Sequence, residues 1–387
     1  MITTPVTEEH VHGTPYLENT AHGLRPHRLP PHVRYRDADG QLAFKEAQPS
    51  GVRLEFTTEA THIAIELHAT RMTHKGMERA RGVLDFIIDG DLHISAPLSE
   101  GDTMELDLTT GAQALLPGGP DLVSVDDVPI GEKRVEIWLP HNEQVDLIAI
   151  HTDAEVRAVE RAADRRRWLH HGSSISHGSN ATAPTGIWPV VAARRADVNL
   201  QNLGFGNSAM VDPFMARLIR DTPAELISVK LGINVVNLDA MKLRIFTPAV
   251  HGFLDTIRDG HPETPLLLVS PIHCEIHEET PGPGGIDPTS FETGNVKYTA
   301  TGERGDTAFG RLTLQVIRRA LTEVVAARSD DPNLHFLDGL ELYGENDAQS
   351  SPLPDNLHPD SQTHSLIGER FAAAVFGEDG PFAAEPR

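Results

Sequence analysis

RWLHHGSSISHG, residues 167–178, joins an apolar run to a Gly-Ser turn, and similar joins recur further along the chain. VNLQNLG (198–204), ELISVKLG (225–232), PLLLVSP (265–271) and NLHFLDG (333–339) are short apolar runs, each closed by turn-forming residues. Such runs suit strands buried on both faces of a sheet. Between them apolar residues return at three- and four-residue steps. In 309–328, Leu312, Val316, Ile317, Leu321, Val324 and Val325 predict an amphipathic helix. Residues 214–222 and 251–260 predict shorter helices, and 365–377 a last one with Gly377 at its C′ position. Strand alternating with helix predicts an α/β fold with a parallel sheet and helices on both faces. Segment 273–305 is too polar and too rich in Gly and Pro to predict an element, and is expected to be a loop lining the substrate cleft.

Upstream the rhythm is different. From about 30 to 155 apolar residues alternate with polar ones. Val52, Leu54 and Phe56 are interleaved with Arg53, Glu55 and Thr57, and Ile63, Ile65 and Leu67 repeat the pattern. VLDFIIDG (83–90) ends in Asp-Gly, a turn signal that returns the chain into LHISAPL (92–98). RVEIWLP (134–140) and VDLIAIHT (145–152) predict two more strands. Short strands with frequent turns predict an all-β sandwich of jelly-roll type. The expected organisation is an N-terminal extension (1–29), a β-sandwich domain (30–158) and an α/β domain (159–387). A chain of 387 residues fits two domains.

A formal charge of −23 repels a phosphate backbone and an anionic bilayer, so neither nucleic acid nor membrane is an expected partner. One cysteine, Cys274, allows no intrachain disulfide and no Cys-rich metal site; a buried or incidental thiol is expected. MITTPVTEEHVHGTPYLENTAHG (1–23) lacks a basic stretch followed by an apolar one, which predicts a cytoplasmic protein. The Asn180–Thr182 sequon carries little weight without an export signal.

In open α/β sheets the site lies beyond the carboxyl ends of the strands. The predicted strand exits carry His171-Gly172-Ser173-Ser174, then Asn202 to Ser208, then Leu231-Gly232-Ile233-Asn234. The last exit leads across a loop to Asp355-Asn356-Leu357-His358-Pro359. A serine hydroxyl needs a base to take its proton as it attacks. His358 can do so near neutral pH, and Asp355 can hold the imidazole in one tautomer. The oxyanion formed on attack needs donors. The backbone N–H of Ser174, one N–H at Gly206 or Asn207, and the side-chain amide of Asn234 are the candidates.

These residues, in this order, resemble the SGNH (GDSL-like) hydrolases. HGSSISHG (171–178) is similar to their first block, with Ser173 in place of Asp. NLGFGNS (202–208) resembles the second, LGIN (231–234) the third, and DNLH (355–358) the Asp-x-x-His block. The resemblance covers about 165–377. A closer likeness is to members with an N-terminal jelly roll, carbohydrate deacetylases among them, whose linker strands resemble EIWLPHNEQVDLIAIHTDA (136–154). It implies a flavodoxin-like domain, no cofactor, Ser174 as nucleophile, His358 as base, Asp355 as its orienter, and Gly206 or Asn207 with Asn234 at the oxyanion. Val235 departs from the family, which usually has Asp there. The α/β-hydrolase elbow, Gly-x-Ser-x-Gly, is broken at Ser176, and its Asp and His usually come from separate loops.

Each residue also has a structural reading. Ser174 could serve a turn or cap a helix, with Ser173 as its local competitor for the nucleophile; Asp355 and Pro359 could open the last helix; Asn234 could tie two loops, with Asn237, which lacks a preceding Gly, as its nearest rival. His273, Glu275, His277 and Glu278 suggest a metal only if helical, and the His-Glu-x-x-His motif is absent, so no metal is expected. His62 and His68 are expected on a solvated strand face. The expected function is hydrolysis of short, acetyl-type esters on a carbohydrate or similar alcohol through an acyl-serine. The alternatives are a non-catalytic glycan-binding protein and an acyltransferase using the same three residues.

Overall fold

The computed structural model describes residues 1–36, 40–76, 79–107, 110–159, 165–293 and 296–384. The chain divides into two units, 1–164 with 182–185, and 165–181 with 186–387.

The first unit is a β-sandwich. Its larger sheet runs in the order Gln113–Leu116, Asp102–Leu106, Ile63–His74, Glu143–Thr152, Leu24–His27 and Tyr16–Asn19. Ile2–Pro5 pairs with Glu143–Thr152, and Asp121–Val125 with Ile63–His74. The other sheet runs Val156–Ala158, Arg53–Thr58, Lys133–Trp138, Val83–Ile88 and Asp91–Pro97, with Val11–His12 added beside Arg53–Thr58. Among the described residues the ladders are antiparallel except that between Ile63–His74 and Asp102–Leu106. One core holds the alternating residues of both sheets: Leu54, Phe56, Phe86 and Ile137 from one, Ile63, Ile65, Leu67 and Val145 from the other. Asp89 and Gly90 both have positive φ (49° and 92°), as a tight turn matching strand twist requires.

Three expectations need correction here. Residues 1–29 supply four strands to the sheets and are no separate extension. Arg53 and Glu55 are buried as well as their apolar neighbours. Their charges are paired, Arg53 with Glu55 at 3.0 Å and Glu55 also with Arg134, while Arg53 lies 5.0 Å from the Trp138 ring. His68 is likewise buried, stacked on His22 at 4.2 Å and 3.1 Å from Asp102.

The second unit is built on five parallel strands: β1 (Arg167–Gly172), β2 (Asn199–Gly204), β3 (Leu226–Lys230), β4 (Leu266–Val269) and β5 (Leu334–Leu337). Their order is β2-β1-β3-β4-β5, the flavodoxin-like arrangement, whose switch point lies between β1 and β3. Each run named from the sequence is one of these strands. The main helices are α1 (Ser174–His177), α2 (Trp188–Ala196), α3 (Pro213–Asp221), α4 (Ile233–Asn237), α5 (Leu243–Gly260), α6 (Leu314–Ala326) and α7 (Ser361–Phe376). α6 starts at Thr313, whose hydroxyl accepts from Val316 N, and buries Val316, Ile317, Leu321 and Val324.

α5 is longer than the predicted 251–260. Pro248 stands inside it, and Phe246, Val250, Phe253, Leu254 and Ile257 form a continuous buried stripe. Packing of that stripe outweighs the hydrogen bond a proline removes. Gly377 follows α7 with φ −63°, so it is no left-handed cap; a Cβ there would lie 2.4 Å from Ala373 O. Segment 273–305 is also not bare loop. It holds a short helix (Glu275–Glu278) and a two-stranded ribbon, Gly284–Ile286 with Tyr298–Ala300. No helix among the described residues is long and apolar enough to cross a membrane.

Candidate active site

The ends of β1 and β2 press against α1, and glycine makes the approach possible. A Cβ on Gly172 would lie 2.3 Å from Ser176 Oγ, and one on Gly204 2.6 Å from the backbone of Ser176 and His177. Asn202 ties the two exits together: its Nδ2 donates to Ser176 O (2.9 Å) and its Oδ1 accepts from Gly204 N (2.9 Å).

Ser173 caps α1. Its hydroxyl accepts from Ile175 N at 3.3 Å, and it is buried. Ser174, one residue later, is half-buried with its hydroxyl turned elsewhere. Ser174 Oγ lies 2.9 Å from His358 Nε2, and His358 Nδ1 lies 2.8 Å from Asp355 Oδ2. The other carboxylate oxygen of Asp355 accepts from Leu357 N (2.9 Å) and His358 N (2.6 Å), so the tetrapeptide folds back on its own acid. Burial pushes the Asp355 carboxyl up, but the His358 imidazole and these two N–H groups together hold it below the usual carboxylate range. Asp355 is therefore ionised at neutral pH, and Nδ1 of His358 carries the proton it receives. Asp360, not Asp355, caps α7, accepting from Thr363 N at 2.8 Å.

The oxyanion candidates lie in the turns after β1, β2 and β3. Ser174 occupies the first position of α1, where a backbone N–H has no acceptor within the helix. Gly206 and Asn207 are the middle residues of a turn closed by Ser208 N to Phe205 O (3.3 Å), and Asn207 has φ 60°. Asn234 is buried at the second position of α4. Its Oδ1 accepts from Ala209 N at 3.1 Å, which points the amide's Nδ2 the other way. Asn237, its rival, is bound instead to His277 Nε2 (3.2 Å), and Val235 is a core residue.

Other sequence candidates are engaged elsewhere. His273 lies 3.4 Å from Glu275 and 3.5 Å from Glu278, and Glu278 is bound to Arg318 at 2.6 Å. Among the described residues no three His, Cys, Asp or Glu side chains are grouped to hold a metal. Cys274 is buried with Sγ 3.4 Å from Asn356 O, and burial pushes its thiol up to about 12.

Two residues near the site carried no signal in the sequence. Tyr298, on the ribbon, sets its ring edge-on to His358 at 5.5 Å. Its N–H donates to Asp355 O (2.8 Å), and its carbonyl accepts from Asn356 Nδ2 (3.1 Å). Asn180, read only as part of a sequon, donates from Nδ2 to Asp355 Oδ2 at 2.9 Å.

Residues 165–279 match the GDSL-like lipase/acylhydrolase family, and residues 10–148 match the SsfX3 N-terminal domain. The chain is similar to the salicylyl-acyltransferase SsfX3 from a tetracycline biosynthetic pathway, with 28% identity, 95% of each chain covered and a TM-score of 0.74. It shares its fold with a protein described as a GDSL-like lipase from Bacteroides ovatus (19% identity, 96% and 95% covered, TM-score 0.68). It also shares it with a family two carbohydrate esterase from Clostridium thermocellum in complex with cellohexaose (15%, 84% and 91%, 0.56). No curated protein matches the chain. The chain thus carries a GDSL-like lipase/acylhydrolase domain, preceded in sequence by an N-terminal β-sandwich of the SsfX3 type.

Proposed function

We propose that this chain is a serine esterase that works through an acyl-enzyme on Ser174. One observation carries the reading: Ser174 Oγ, His358 and Asp355 stand in series at 2.9 and 2.8 Å. In the first half-reaction Ser174 Oγ attacks the ester carbonyl as its proton passes to His358 Nε2. The tetrahedral oxyanion is met by Ser174 N–H, an N–H at Gly206 or Asn207, and Asn234 Nδ2. Collapse breaks the ester C–O bond, and the leaving alcohol takes the proton from Nε2. In the second half water attacks the acyl-serine, gives its proton to His358, and the acid departs as Ser174 recovers its hydrogen. Asp355 stays ionised throughout and stabilises the imidazolium.

The substrate we assign is a short acyl group, acetyl first, on a carbohydrate or similar polar alcohol. The shared architecture with a carbohydrate esterase supports this choice, and the analogy is one of fold. A second reading, acyl transfer to an alcohol, is favoured by the 28% identity that runs through both units to a salicylyl-acyltransferase. A non-catalytic glycan-binding role fits poorly with an intact Ser-His-Asp series.

The test is p-nitrophenyl acetate turnover by the wild type and Ser174→Ala. Loss of on the order of ten-thousandfold or more is expected. Equal rates would remove the serine mechanism. Adding candidate alcohols separates the two outcomes of the acyl-enzyme: ester formed on the acceptor means transfer, free acid alone means hydrolysis.

A further inference from the structure

We propose that Asn180 is a positioning residue for the Asp355–His358 pair, holding the carboxylate through its side-chain amide. The proposal rests on the reading of Ser174 and His358 given above. Asp355 has four donors around two oxygens. Oδ1 takes Leu357 N and His358 N, and Oδ2 takes His358 Nδ1 at 2.8 Å and Asn180 Nδ2 at 2.9 Å. Three of the four come from Asp355's own tetrapeptide. Asn180 is the exception: it comes from the segment that carries the nucleophile, six positions after Ser174.

The backbone is shaped for this contact. α1 ends at Gly178 with φ 107°, Ala181 N closes a turn onto Gly178 O (3.0 Å), and Asn180 sits between them at φ 67°. Positive φ is unfavourable for most side chains and tolerated by Asn. The turn thus aims a short neutral donor back at the acid. The same amide is the atom a glycan would modify at the Asn180–Thr182 sequon, so its hydrogen bond gives that side chain a different use.

The effect on His358 follows from sharing one oxygen. A neutral donor on Oδ2 draws charge away from the bond to Nδ1 and fixes the carboxylate plane. Without it the imidazole alone holds Oδ2, and the imidazolium is favoured more. Other groups facing the pair are Tyr298 from the ribbon, Cys274 from the stretch after β4, and His364 from α7. None of these supplies Asp355 with a side-chain hydrogen bond among those described.

Two variants test the proposal. Asn180→Gly keeps the positive φ and removes the donor. Asn180→Asp keeps the shape and sets a second carboxylate against the first. The His358 ring is titrated by nitrogen-15 NMR, beside turnover of p-nitrophenyl acetate. We expect the His358 midpoint to rise by about one pH unit in Asn180→Asp and by less in Asn180→Gly. In Asn180→Gly kcat should fall about tenfold with KM unchanged, as for loss of alignment in the reacting state. An unmoved His358 midpoint in a folded Asn180→Asp protein overturns the proposal. If the midpoint moves while wild type and Ser174→Ala turn over alike, the esterase reading fails and the positioning role stands.

Discussion

His170 Nε2 lies 2.8 Å from Ser176 Oγ, and both side chains are wholly buried beneath the turn that presents Ser174. The other ring nitrogen of His170 meets Ser228 Oγ at 2.8 Å, which also accepts from Trp168 Nε1. Two more imidazoles hold the same segment: His177 Nδ1 lies 3.3 Å from Gly204 O, and His364 Nε2 donates to Ser179 O at 3.0 Å. Ser174 is thus held by a polar framework in the sheet and α7. A buried polar network of this kind gives a single geometry when all its members are satisfied.

Two members of that framework, His170 and His364, together with the neighbouring buried His171, whose Nδ1 donates to Leu203 O at 2.8 Å, make the fold acid-sensitive. Burial lowers His170 well below its ordinary value, and lowers His171 and His364 to about 4. Each is neutral when folded and takes a proton more readily when unfolded. Their contribution to stability is therefore complete above pH 6.5 and is lost as pH falls towards 4. A drop from 6.5 to about 4 is worth about 3 kcal/mol for one fully buried group. Urea unfolding at a series of pH values should show stability declining from about pH 6.5 downward. A level profile from pH 7 to 4.5 would contradict it.

Asp355→Asn should leave the fold in place and cripple turnover. The amide can still accept from Leu357 N and His358 N, but it can present an N–H to His358 Nδ1 and select the wrong tautomer. In serine proteases that change costs about ten-thousandfold in kcat, and a loss of similar order is expected here with a near-native melting temperature. Turnover within tenfold of wild type would show that His358 does not depend on this carboxylate.

Gly204→Ala tests the approach of β2 to α1. The new Cβ would meet backbone atoms of Ser176 and His177 at 2.6 Å, and backbone cannot swing aside as a side chain can. Overpacking of this sort costs about 1–3 kcal/mol. The melting temperature should drop by several degrees, and kcat should fall because Ser174 moves with its helix. An alanine variant with unchanged melting temperature and rate would mean that α1 is not set by this contact.

Much of this was legible in the sequence because it rests on short-range signals. The five strands of the second unit appear as apolar runs, and the candidates Ser174, Gly206, Asn207 and Asn234 follow the first three of them within a few residues, where an open α/β sheet presents its loops. What stayed hidden depends on distant partners. Ile2–Pro5 and Val11–His12 are too short to show alternation and exist through pairing with strands far along the chain. Pro248 masked the first half of α5, whose buried stripe is clear only when Phe246 and Val250 are counted with Phe253. The ribbon at 284–286 and 298–300 has three-residue strands and takes its place from the backbone bonds of Tyr298 to the Asp355 loop. Asn180 gave no sign because a single amide acquires its use only from what it faces.

Asn234 offers the sharpest separation of scaffold from chemistry, because one end of its amide is bound to a loop and the other is the end proposed for the chemistry. Oδ1 accepts from Ala209 N and so anchors the loop after β2; Nδ2 is the end proposed for the oxyanion. Asn234→Ala removes both, and should cost about a hundredfold or more in kcat together with some stability, since Ala209 N is then left unpaired. Asn234→Asp keeps an acceptor for Ala209 N but buries a charge, so its stability should fall as well. It also replaces the donor with negative charge, and kcat should fall at least as far as in the alanine variant. Thermal unfolding and kcat measured on both variants decide the matter. Should Asn234→Asp retain wild-type kcat, the amide serves only the loop, and the oxyanion must be met by Ser174 N–H and the Gly206–Asn207 turn alone.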